Sequence, residues 1–119
     1  MAHLEKLHRA YEGYVQANRY MSLYEPDSGH FTPEHIQELT SMAHQIMEIR
    51  LENLPRISPN VFVPLCRELQ KATVVELSGY WTPSAACIKV LEENKNLQKC
   101  TLGTKNYIRI DGQGFVEKT

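Results

Sequence analysis

The stretch KATVVELSGYWTPSAACIKVLEEN, Lys71 to Asn94, constrains the fold most, because stop, turn and start signals follow one another along it. Gly79 takes a left-handed turn without steric cost and closes a candidate helix that carries Val74, Val75 and Leu77. Thr82-Pro83-Ser84 then supplies a capping hydroxyl and a proline where a helix begins, and Ala85, Ala86, Ile88, Val90 and Leu91 give the next helix its apolar positions. The expected local structure is two short helices joined by a tight glycine corner, with small alanines allowing close approach. Trp81, the sole tryptophan, stands at that corner. It serves either as a wedge in the core or as an exposed anchor for a partner, since tryptophan is used for both.

A chain of 119 residues is the size of one domain, taken here as 1–119, and 42% hydrophobic with 23% charged residues is an ordinary globular composition. No apolar run approaches the roughly 20 residues that cross a bilayer, and MAHLEKLHRA lacks the apolar core of a signal peptide. The chain is therefore expected to be soluble and intracellular, cytoplasmic or nuclear, and not bound to a membrane. Cys66, Cys87 and Cys100 are odd in number and show no CxxC spacing, so reduced thiols are expected. All histidines precede position 45 and all cysteines follow position 65, and His35 and His44 fall on opposite sides of one helix. No metal site, no cofactor and no catalytic residue is expected, because neither an HExxH box, a GK[ST] loop nor a neighbouring Cys–His pair occurs.

The N-terminal half reads as an antiparallel helix pair over residues 1–54. Leu4, Leu7, Tyr11, Tyr14 and Met21 recur at helical spacing, opposite Glu5, Lys6, Arg9, Glu12, Gln16 and Arg19. The tyrosines suit the rim of a core or an interface. After a loop at Tyr24 to His30, Thr32-Pro33-Glu34 opens a second helix whose stripe runs Ile36, Leu39, Ala43, Ile46, Met47, Arg50 and Leu54 before Pro55 stops it. Three prolines interrupt Leu54 to Pro64, where Ser58-Pro59 caps a short helix anchored by Phe62. Pro64 either kinks that helix or starts it. No internal repeat is evident.

Residues 1–60 carry a net charge of −3 and residues 61–119 a net charge of +2. Lys95, Lys99, Lys105 and Arg109 gather in a run without acids, which suits phosphates, an acidic partner or plain solvation. Tyr107 to Lys118, YIRIDGQGFVEK, reads as a β-hairpin, with Gly112 and Gly114 at positions needing positive φ.

Helix, glycine corner, helix and hairpin over residues 61–119 resemble, in layout, a winged-helix domain with its helix-turn-helix. The expected fold class is accordingly α+β, mainly helical, with the N-terminal helix pair ahead of that unit. The resemblance implies a non-enzymatic, DNA-binding regulator that contacts duplex DNA through Thr82, Ser84, Lys89, Lys95, Lys99, Lys105 and Arg109, as a homodimer on a palindromic site. The alternative is a protein–protein interaction module, an adaptor or inhibitor, that docks through Tyr11, Tyr14 and Met21 or through the Trp81 corner and binds no nucleic acid.

Overall fold

Period-two alternation, not helical spacing, decides two segments of this chain. In Glu48-Ile49-Arg50-Leu51 and in Val74-Val75-Glu76-Leu77 every second residue is fully buried, as a half-buried strand requires. The computed structural model describes residues 22–25 and 27–118. Within them the order is β1 (Ser22–Glu25), α1 (Pro33–Met42), β2 (Glu48–Leu54), α2 (Phe62–Glu68), β3 (Val74–Gly79), α3 (Ala85–Glu92), β4 (Lys99–Gly103), β5 (Lys105–Ile110) and β6 (Gly114–Lys118). The strands form one sheet in sequence order, parallel from β1 to β4 and antiparallel from β4 to β6.

A mainly helical fold is thereby overturned, together with the N-terminal helix pair. The helix expected from Thr32 to Leu54 stops at Met42, passes through a 3-10 turn at Ala43–Gln45, and continues as β2. α1 is the crossover that returns the chain from β1 to its parallel neighbour β2. The stripe expected over Leu4 to Met21 lies outside the described residues. The helix-turn-helix is overturned too, because its first member is β3. Gly79, at φ +153°, ends that strand, and a Cβ there would overlap the backbone of Leu54. Its need for glycine is therefore a close strand-to-strand approach. The hairpin over 105–118 does form, with Gly112 and Gly114 at φ +83° and +75°, but it extends the sheet and does not project as a wing.

The fold also contains a repeat. Leu23, Ile49, Val75 and Cys100 are register partners, spaced 26, 26 and 25 residues apart. Leu39, Leu65 and Leu91, all fully buried, occupy equivalent helical positions, while Thr32, Ser58 and Ser84 precede the helical segments at the same period. Thr32 and Ser84 accept hydrogen bonds from the amides of His35 and Cys87. Each unit is one strand and one helical segment that cannot bury its apolar side alone, so stacking builds a continuous core. Pro64 sits in the first turn of α2, where its missing N–H costs nothing, so α2 begins before it.

Parallel strands in sequence order with right-handed crossovers put every connecting helix on one side of the sheet. α1 packs against α2 and α2 against α3. The strand side chains beneath them, Leu23, Ile49, Leu51, Val75, Leu77, Cys100 and Leu102, are buried. The other side of the sheet carries no helix among the described residues, and none of these helices is long and apolar enough to cross a membrane.

Candidate functional site

The uncovered sheet face follows from strand parity. Residues that alternate with the buried set fall into rows running across the strands. One row is complete in the register: Tyr24, Arg50, Glu76, Thr101, Asn106, Lys118. Beside it run Glu48 and Val74 on β2 and β3, then Lys99, Ile108 and Val116 on β4, β5 and β6. Cross-strand contacts knit the face. The Tyr24 hydroxyl donates to Glu52 Oε1 at 3.1 Å, Arg50 Nε lies 4.0 Å from Glu76 Oε2, and the Thr101 hydroxyl donates to Asn106 Oδ1 at 2.7 Å. The hydrogen bond to the Glu52 carboxylate holds the Tyr24 phenol above its ordinary pKa, although Tyr24 remains 55% exposed.

Over β3, β4 and β5 this face sinks into a hollow of about 350 Å³, with Val74, Ile108, Glu76, Lys99, Thr101 and Lys118 among its lining residues. Charge is divided across it. Glu48, Glu52 and Glu76 with Arg50 make the β2–β3 side acidic, whereas Lys99 and Lys118 make the β4–β6 side basic. Among the described residues neither lysine has an ion-pair partner.

The residues expected to contact duplex DNA do not form one surface. Ser84 is occupied as the cap of α3, and Thr82 lies exposed in the loop before it. Lys89 is exposed on α3 and Lys95 in the following loop. Lys99 is on the open face. Lys105 pairs with Glu117 at 2.9 Å, an interaction that raises its pKa. Arg109 turns to the helix side, where Nε donates to the Leu97 carbonyl at 3.0 Å and Nη2 donates to the carbonyls of Glu92 and Asn94 at 3.0 and 2.9 Å. Its guanidinium also lies 4.6 Å from the Phe115 ring centroid. A cation at the carbonyl end of a helix answers both the unpaired carbonyls and the helix dipole, so Arg109 is bound into the fold.

Of the residues expected to contact a protein partner, Tyr11, Tyr14 and Met21 lie outside the described residues. Trp81 is 4% exposed, stacks on Phe62 with centroids 4.1 Å apart, and donates its indole N–H to the Leu77 carbonyl at 2.7 Å. It locks the corner. Its neighbour Tyr80 is the exposed aromatic there, at 70%.

The three cysteines are free and buried on the helix side. A hydrogen bond from Cys66 lowers the Cys87 thiol to about 6 against the opposing effect of burial, with help from Ser84. That same hydrogen bond, followed by burial, pushes Cys66 well up, while burial takes Cys100 up to about 12 against the lowering effect of the Arg109 charge. No group of His, Cys, Asp and Glu among the described residues converges as a metal cage.

The open face was missed in the sequence because its members lie in strands read as helices. A detectable signal was the 26-residue recurrence of capping hydroxyls at 32, 58 and 84 and of leucines at 39, 65 and 91. No family model, no curated protein and no solved structure matches this chain.

Proposed function

We propose that this chain is a non-enzymatic docking module that receives a protein partner on its open sheet face. The observation that carries this is the one-sidedness of the fold: among the described residues, three helices cover one side of a six-stranded sheet and none covers the other, which carries the exposed Tyr24 and a hollow. A strand-plus-helix unit of about 26 residues, with the spacing Ile46-x-x-Ile49-x-Leu51 repeated at Ala72-x-x-Val75-x-Leu77 and Leu97-x-x-Cys100-x-Leu102, has the layout of leucine-rich solenoids. Such solenoids present extended surfaces to partners, and that likeness is of fold alone.

The duplex-binding alternative draws less support, because its residues are dispersed and two of them, Lys105 and Arg109, are held by the protein itself. The test compares partner capture by the wild-type chain, by an open-face variant (Val74→Arg with Thr101→Arg) and by a helix-side control (Gln37→Arg with Lys89→Glu). Partners lost in the first and kept in the second support the reading. Partners kept in both sink it. So does binding of a random DNA duplex that weakens steeply between about 50 and 200 mM salt and disappears on Lys99→Glu.

A further inference from the structure

The division of charge across the open face, together with its apolar floor, limits what can lie on it. The β2–β3 side presents Glu48, which has no ion-pair partner among the described residues, and Glu52, whose carboxylate accepts only the neutral Tyr24 hydroxyl. Glu76 faces Arg50 and is partly neutralised. On the other side Lys99 stands between Val74 and Ile108, and Lys118 closes the Asn106 row. A uniformly acidic partner meets repulsion over β2, and a uniformly basic one meets it over β4 to β6. The face is complementary to a segment that carries both signs a set distance apart.

Spacing fixes how far apart they stand. Neighbouring strands lie about 4.8 Å apart, and an extended segment advances about 3.3 Å per residue with alternate side chains on one side. A segment crossing the strands therefore presents residues i, i+2 and i+4 to the sheet over about 13 Å. That distance runs from above β2, past β3 and the hollow, to β5, between the two lysines on β4 and β6.

We infer that the occupant of the open face is an extended protein segment with a base and an acid four positions apart and an apolar residue midway, its base over Glu48, its apolar side chain in the hollow above Val74 and Ile108, and its acid between Lys99 and Lys118. This rests on the docking function proposed above and names the chemistry of its partner. The Thr101–Asn106 pair beside the hollow is hydrogen-bonded within itself and offers its remaining capacity to the backbone of the segment.

A phage-displayed random peptide library selected on the full chain tests this, with far-UV CD and urea midpoints showing that each variant folds as the wild type does. Enriched peptides are expected to share an acid and a base four positions apart with an apolar residue midway. Lys99→Glu with Lys118→Glu is expected to weaken them about tenfold, and replacing the peptide's acid by lysine to restore binding to that variant. Thr101→Trp, which fills the hollow, is expected to abolish binding. Enriched peptides that lack this pattern but still depend on Thr101 overturn the inference and leave the docking face standing. Peptides indifferent to Thr101→Trp overturn both. A library that yields no binder overturns the inference.

Discussion

Arg109→Ala tests the account at the point where sequence and structure part most sharply. The guanidinium donates to three main-chain carbonyls at the end of α3 and in the loop beyond it, at 2.9 to 3.0 Å, and packs on Phe115. Hydrogen bonds from a charged donor contribute about 1.5–3 kcal/mol each, and the ring contact about 0.5–1 kcal/mol. The contributions are not additive and the side chain is half-buried, so the lower end applies. Arg109→Ala is expected to lower the unfolding free energy by about 3 kcal/mol, measured by urea denaturation at constant slope. Arg109→Lys keeps the charge but offers no planar fork to three separate acceptors, and is expected to recover less than half. Lys99→Ala, on the open face, is the control and is expected to stay within about 0.5 kcal/mol of the wild type. If Arg109→Ala costs less than about 1 kcal/mol, or if lysine restores full stability, Arg109 is an exposed cation and the helix-capping argument is wrong.

Two further outcomes concern the core. Asn94, 2% exposed, donates to the carbonyls of Leu69 and Ala72 at 2.9 and 2.8 Å and accepts from the Asn96 amide, tying one repeat to the next. Asn94→Ala is expected to cost about 2–4 kcal/mol in urea denaturation, and Asn94→Asp at least as much because it turns a carboxylate toward two carbonyls; a tolerated aspartate refutes the assignment. Cys100, pushed up to about 12 in the folded chain, favours its neutral form there. That contribution is intact below the unfolded thiol's value of about 8.5 and is lost as pH rises toward 12, with a slope of up to about 1.4 kcal/mol per pH unit. Thermal melts under reducing conditions from pH 7 to 10 should show this fall, and Cys100→Ala should reduce its slope while the raised Cys66 thiol keeps part of it; an unchanged slope places the titration elsewhere.

The signals that sequence carried reliably were those closed within a few residues. Thr32-Pro33 starts α1 and Ser84 caps α3, because a hydroxyl reaches an amide three residues on wherever the chain goes next. Gly112 and Gly114 turn the hairpin for the same reason. Glu48–Leu54 and Val74–Gly79 were not decidable in this way. Apolar runs of six or seven residues satisfy a helical stripe and a strand alternation almost equally, and a strand acquires its hydrogen bonds only from partners about 26 residues away. Tertiary structure alone decided which side chains are free. Once the strands stack in sequence order, right-handed crossovers send every helix to one side, and parity then buries Cys100 and Tyr107, turns Arg109 toward the end of α3, and leaves Tyr24, Lys99 and Lys118 facing water.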